Sequence, residues 1–339
     1  MRALVIYRPF ESNIDVVNDP EPRANEIVIK TKACGICGTD IHIFRGEEPR
    51  TLFPIIPGHE LAGVIIDMGK DIKDFSVGDV VAVDPNIACG RCYYCKIGSR
   101  HFCENWEGIG VTRPGGFAEK VAVPVDNLYK VPRNIPLERA ALVEPLSCIL
   151  HGLDAIMPLK GGEKIAIFGA GPIGLMFLAI LRRFTIADIA VFEVQPQRAK
   201  KAIEFKADIV ENPTEIDLYK FSQEFTHGKG FNVVIDATGN IEAISRILKL
   251  DIVAPQAKIL LFGVAPTGRK VELEPYMVFR KEVSIMGTII NPYTTQRAIM
   301  LLDELLELDT MIDRISLEEA LNILRGTSGK NYIKPMIIF

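Results

Sequence analysis

Apolar and polar positions change rhythm near residue 145. Before that point apolar residues come in short runs broken by Pro and Gly. Ile27-Val28-Ile29, Gly63-Val64-Ile65-Ile66, Val80-Val81-Ala82-Val83 and Lys120-Val121-Ala122-Val123 are such runs. Short segments rich in β-branched residues and bounded by turn formers predict strands. The chain also opens on an alternating pattern, Met1-Arg2-Ala3-Leu4-Val5-Ile6. Helical periodicity is scarce, so a coiled, barrel-like β domain with long loops is expected here.

After Glu144-Pro145 the pattern alternates. Leu146 to Met157 predicts a helix that stops before Pro158. Strands are predicted at Lys164–Phe168, Asp188–Phe192, Ile209–Val210, Val233–Ile235, Lys258–Phe262 and Val283–Ile285. Helices are predicted between them at Gly174–Phe184, Gln197–Phe205, Ile216–Thr226 and Ile241–Leu250. This order argues for βαβ units on a doubly wound parallel sheet, an α/β class. The tail predicts one long helix, Thr295–Leu308, a shorter one, Leu317–Arg325, after Ser316 as N-cap, and a closing strand, Ile333–Ile338.

Composition narrows this picture. With 339 residues, two domains are expected. Net charge is −4 and no run of like charges occurs, so nothing points to nucleic acid. The longest apolar stretch, Ile165 to Leu181, is broken by Gly169, Gly171, Pro172 and Gly174, which argues against a membrane span. The first residues lack a cleavable signal pattern, and the cysteines are clustered rather than scattered. Clustering of this kind suggests metal before disulfides, and a cytoplasmic location is expected.

Phe168-Gly169-Ala170-Gly171-Pro172-Ile173-Gly174 carries GxGxxG after a predicted strand and at the opening of a predicted helix. In that setting the glycines serve a tight turn, close backbone approach to a pyrophosphate and helix–strand packing. Glu193, 19 residues past Gly174, closes the second strand. A carboxylate there suits the ribose hydroxyls of NAD and opposes the extra phosphate of NADP. Arg198 stands near enough to cover the adenosine edge. A structural α/β turn with no ligand is the bland alternative.

Cys89-x2-Cys92-x2-Cys95-x7-Cys103 supplies four thiolates within fifteen residues. The spacing suits a closed tetrahedral zinc site. The ferredoxin run ends C-x3-C-P, whereas the last gap here is seven and Glu104 follows. A second set is spread out. Cys34-Gly35-Ile36-Cys37-Gly38-Thr39-Asp40-Ile41-His42 is expected to be loop, Gly58-His59-Glu60 follows Pro54 to Pro57, and Glu144 stands at the domain junction. Each residue alone is more often ordinary surface or core. Together they make a mixed N/S/O set of the kind that leaves a position open for substrate.

Gly58-His59-Glu60, Gly78-Asp79-Val80-Val81, the four-cysteine segment, Gly115-Gly116-Phe117-Ala118-Glu119 and Gly169 to Gly174 occur in one order along the whole chain. This string resembles the zinc-containing medium-chain dehydrogenase/reductase family. The resemblance implies a GroES-like catalytic domain, a Rossmann coenzyme domain and a C-terminal return to the catalytic domain, so the expected division is 1–146 with 288–339 as one domain and 147–287 as the other. It implies two zinc ions per subunit. Cys37, His59 and a carboxylate from Glu144 or Glu60 would hold the catalytic zinc, and Cys89, Cys92, Cys95 and Cys103 the structural one. Cys34 and Cys148 are then expected to serve packing. It further implies a proton path through Thr39 and His42, with Asp40 orienting a zinc ligand. Phe44 and Phe117 become candidate pocket walls, and Arg45, Arg50 or Arg113 would hold a substrate carboxylate if turned inward. Glu144-Pro145-Leu146-Ser147 is similar to the sorbitol and polyol dehydrogenase branch, and Glu-Pro-Leu also to L-threonine 3-dehydrogenase. Sorbitol dehydrogenases carry an Arg after the last Rossmann strand, and Gly287-Thr288-Ile289-Ile290-Asn291-Pro292 has none. The expected activity is NAD-linked oxidation of a polyol, sugar or sugar acid, with threonine oxidation as the alternative and a non-catalytic NAD-binding protein as a remote one. Relatives of this kind assemble as homotetramers or homodimers, and the apolar segments Lys258–Val264 and Val283–Ile290 are compatible with that.

Overall fold

The computed structural model describes residues 1–339. The chain forms two compact units. One comprises Met1–Cys148 and Ile290–Phe339, the other Ile149–Ile289.

The first unit is built on a seven-stranded sheet. Its path runs Ile312–Ile315, Lys334–Ile338, Glu26–Gly35, Glu60–Met68, Val80–Val83 and Leu128–Lys130, with Lys120–Pro124 pairing to Glu26–Gly35 off that path. The alternation read from the sequence buries Ile27, Ile29, Leu61, Ile65, Val81, Val83, Val121 and Val123 in one core. A separate hairpin pairs Arg2–Arg8 with Glu11–Val16. The C-terminal strand lies antiparallel to Glu26–Gly35, so that Met336 faces Gly35 and Ile337 faces Cys34. On the other side Gly35 faces Glu60. Residues from the two ends of the chain thus meet at one point of the sheet.

The second unit is a six-stranded sheet in the order Ile209–Glu211, Asp188–Phe192, Lys164–Phe168, Phe231–Asp236, Val253–Leu261, Ser284–Gly287. Every neighbouring pair is parallel. The order reverses beside Lys164–Phe168, the position at which doubly wound sheets bind ligands. Its core packs Ala166, Phe168, Phe192, Phe231, Val234 and Ile259.

Two expectations need correction. Cys34 to His42 is not a loop: the strand continues to Gly35, and Gly38–Arg45 is a helix with Cys37 as N-cap. The Asp40 carboxylate accepts the Cys37 N–H at 2.8 Å, and left-handed Gly46 (φ 75°) ends the helix. Caps, rather than a long apolar stripe, define this element. The long C-terminal helix is also divided. Thr295–Leu301 is α-helical, whereas Leu302–Glu304 and Leu306–Met311 are 3-10 turns. The buried residues there are Leu302, Leu305, Leu308 and Met311, at every third position. A period of three matches the 3-10 helix and not the α-helix.

Candidate active site

The Cys37 sulfur, a His59 ring nitrogen and a Glu60 carboxylate oxygen all lie within 4.8 Å of one another. The fold explains the convergence. The cap of a short helix sets Cys37, and the turn after the prolines sets His59. Glu60 begins the strand that pairs with Gly35. Asp40 ties these parts together. It is fully buried, and its second carboxylate oxygen accepts the Gly58 N–H at 3.1 Å. That oxygen faces His59 Nδ1 at 3.5 Å, and Nδ1 has no hydrogen-bond partner. Burial opposes a charge on His59, but the neighbouring Asp40 and Cys37 outweigh it and carry its pKa well above the ordinary value.

Lys334 is a buried neighbour of this set that the sequence reading missed. Its ammonium is buried against the Glu60 carboxylate and donates to the Ile36 carbonyl at 3.1 Å. Burial disfavours its charge, yet Glu60 and Cys37 hold its pKa above the usual lysine value. Gly35 makes room for this pair, since a Cβ there would collide with the Glu60 carboxylate and touch the Lys334 stem. The one available signal was a lysine inside an otherwise apolar strand, Ile333-Lys334-Pro335-Met336-Ile337-Ile338.

Glu144 stands in the first turn of the helix Val143–Ile156 and is buried. It lies outside the 4.8 Å set but close enough to feel His59, Glu60 and Lys334. Burial, more than any neighbour, raises its pKa to about 7. The Cys148 thiol, one turn on, approaches its carboxylate at 3.4 Å. Cys148 therefore does more than pack, whereas Cys34 is fully buried in the sheet core.

Thr39 brings its hydroxyl within 3.9 Å of the Cys37 sulfur. His42 lies on the same helix, half-exposed, with Nδ1 on the Glu47 carboxylate. Phe117 and Phe44 are core residues of this unit. Arg113 is taken by Glu26 at 2.5 Å, and Arg50 by Glu48 at 2.9 Å and the Trp106 ring at 4.2 Å. Arg45 is exposed.

Cys89, Cys92, Cys95 and Cys103 converge within 4.8 Å of one another. None forms a disulfide. Backbone N–H groups of Arg91 and Cys92 lower the Cys89 pKa to about 6, while burial raises Cys95 to about 12. Four sulfurs this close cannot all ionise without a cation among them, and an all-thiolate tetrahedron fits zinc. The sulfur, imidazole and carboxylate of Cys37, His59 and Glu60 also fit zinc, as a three-donor set.

In the second unit Gly169 (φ 95°) turns out of the strand, and Gly171 caps the helix Pro172–Phe184 without a side-chain partner. Gly174 packs against the Gly169 carbonyl so closely that no side chain fits. Pro172 and Ile173 form the first turn; Pro172 has no N–H, so the backbone donors left for an anion are those of Ile173 and Gly174. The Glu193 carboxylate accepts from Ala170 N at 2.7 Å and Gln195 N at 2.8 Å, which fixes it beside the glycine turn. The Arg198 guanidinium reaches to within 3.7 Å of where a Gly171 side chain would begin.

Comparison with known proteins agrees with this geometry. Residues 23–133 match the alcohol dehydrogenase GroES-like domain, and residues 172–304 match the zinc-binding dehydrogenase domain. The chain belongs to the zinc-containing medium-chain dehydrogenase family. An L-threonine 3-dehydrogenase of Pyrococcus horikoshii is 34% identical over 97% of both chains. D-arabinitol dehydrogenase 1 of Uromyces fabae is 33% identical over 89% of this chain and 86% of that one. Among solved structures, a putative zinc-binding dehydrogenase from Sinorhizobium meliloti bound to NADP superposes with a TM-score of 0.94. It shares 32% identity over 100% of this chain and 99% of that one. The chain is thus a dehydrogenase of the alcohol dehydrogenase type. No helix is long and apolar enough to cross a membrane.

Proposed function

We propose that the chain oxidises a secondary alcohol of a small polyol or sugar with NAD, using zinc held by Cys37, His59 and a carboxylate. The observation that carries this is the convergence of the Cys37, His59 and Glu60 donor atoms, with Glu144 beside them. When bound, zinc would acidify the alcohol and NAD would take the hydride. The chain's own residues supply the rest. Asp40 holds the Cys37 turn and faces His59. The Thr39 hydroxyl, beside the Cys37 sulfur, would take the substrate's proton. His42, open to solvent and paired with Glu47, is the exit for that proton. Gly169 to Gly174 would cradle the pyrophosphate. Glu193, held by two backbone donors, would accept the ribose hydroxyls, with Arg198 covering the adenosine side.

Charge supports a neutral substrate. A sugar acid or an amino acid needs a cation for its carboxylate, but Arg50, Arg113 and Lys334 each have an acidic partner and Arg45 is exposed. Threonine is the second reading because several relatives bear that activity in their names. Four further cysteines would hold a second, structural zinc. Assembly as a homodimer or homotetramer and a cytoplasmic location complete the proposal, as does the expected division at 146/147 and 287/288.

The test is NADH formation by zinc-loaded protein on polyols, sugar acids and threonine, each with NAD or NADP. Turnover on a polyol with NAD is expected. Cys37→Ser should abolish it while NAD still binds. Activity surviving that substitution would overturn the metal assignment, and turnover on threonine alone would select the second reading.

A further inference from the structure

A line of buried amides runs from the four-cysteine lobe to the turn that carries Glu144. Asn86 stands just before the lobe and is buried. Two residues of the lobe region hold it. Trp106 Nε1 donates to its side-chain oxygen at 3.1 Å, and the Arg100 guanidinium donates to its carbonyl at 3.2 Å. The Asn86 amide in turn donates to the Asn291 side-chain oxygen. The Asn291 amide donates to Ser147 Oγ at 2.7 Å, and Ser147 Oγ donates to the Glu144 carbonyl at 2.6 Å. Thr294 closes the far end, its hydroxyl donating to the Ser147 carbonyl at 2.7 Å. Asn86, Asn291, Ser147 and Thr294 are all buried, so water does not compete for these bonds. Asn291 has a further donor contact to Thr295 Oγ1 at 3.3 Å.

Nothing in the hydride chemistry calls for this line. It serves geometry. The N–H groups of a helix's first turn lack intrahelical acceptors, and helix ends fray most readily. Glu144 occupies that turn here, and its side chain lies outside the tight donor set. We propose that Asn291 is a positioning residue, linking the four-cysteine lobe to Glu144 through Asn86 and Ser147. An ordered lobe would thereby hold Glu144 within reach of the metal at Cys37 and His59. The inference rests on the metal reading of the preceding section.

Metal release to a chelator, read with a chromogenic indicator, tests both separately. Cys37→Ser and Cys92→Ser assign the two release phases to their sites. If Cys37→Ser removes no phase, the metal reading itself fails. Given that assignment, Asn291→Ala should speed release from the Cys37 site about tenfold, the lower end of what losing an orienting partner costs. Ser147→Ala, a smaller change, should do the same, and the two together should not add. In a Glu144→Gln background Asn291→Ala should change nothing. Cys92→Ser should speed release from the Cys37 site in the wild type but add nothing to Asn291→Ala. Unchanged release in both Asn291→Ala and Ser147→Ala overturns the proposal. An undiminished effect in the Glu144→Gln background overturns it too, because Asn291 would then be acting on the fold alone.

Discussion

At the scale of single residues the site is a concentration of acids. Cys37, Asp40, Glu60 and Glu144 surround His59, and Lys334 is the buried cation paired with Glu60. A divalent cation offsets this charge, and so do protons. Burial raises Glu144 to about 7 from an ordinary 4.5, and His59 is also held above its ordinary value. Groups raised on folding bind more protons in the folded than in the unfolded state. Their stabilisation is full below the unfolded pKa and is lost as pH rises through the folded one. Metal-stripped protein should therefore lose stability between about pH 5 and 8, by about 3 kcal/mol from Glu144. Urea midpoints across that range check the sign. Glu144→Gln should flatten the decline, leaving the His59 part. A midpoint that climbs with pH in the stripped protein would contradict this account.

Among elements, the helix Gly38–Arg45 shows how little sequence can determine a site. Its eight residues lack a long apolar stripe, and the reading of loop followed from that. Its N-terminal bond and its link to Gly58 both come from Asp40. Asp40→Ala leaves two backbone donors without their acceptor, at about 1–3 kcal/mol each. It should lower the urea midpoint of metal-loaded protein and weaken metal retention together. Asp40→Asn keeps one acceptor and should restore part of both. Loss of stability with metal retention untouched would separate the helix from the site. The same contrast explains what was legible. Gly169 to Gly174 and the four cysteines are local: each site lies within one turn or one loop, so spacing alone carries the geometry. The βαβ alternation was legible for the same reason, since each strand and helix announces its own period. Lys334 was not legible. It reaches Glu60 across 274 positions, through strand pairings that no local pattern encodes. The Asn86–Asn291 contact spans 205 positions and was hidden in the same way. The 3-10 turns after Leu301 were missed because leucines three apart satisfy a helical template as well.

For the molecule as a whole, the division of labour follows the two units. Both cysteine sets, His59, Glu60 and Glu144 belong to the first unit, and the glycine turn, Glu193 and Arg198 belong to the second. Each unit has its own buried core. A ligand stabilises the part whose folded form binds it, and opening free energies differ from one region to another. Chelation should then raise amide exchange in Glu26–Gly35, Glu60–Met68 and the segment 89–103, because those elements carry or flank the proposed metal donors. Exchange in Lys164–Phe168 and Asp188–Phe192 should stay as it was. Saturating NAD should do the reverse. It should protect the strands beside the glycine turn by up to about 2.7 kcal/mol at a hundredfold excess over Kd, and leave Glu26–Gly35 and Glu60–Met68 alone. Hydrogen exchange read by mass spectrometry, peptide by peptide, resolves the two responses in one experiment. If chelation loosened the strands beside the glycine turn as much as those of the first unit, the units would not be separate in stability. Metal would then have to be treated as a determinant of cofactor binding as well as of chemistry.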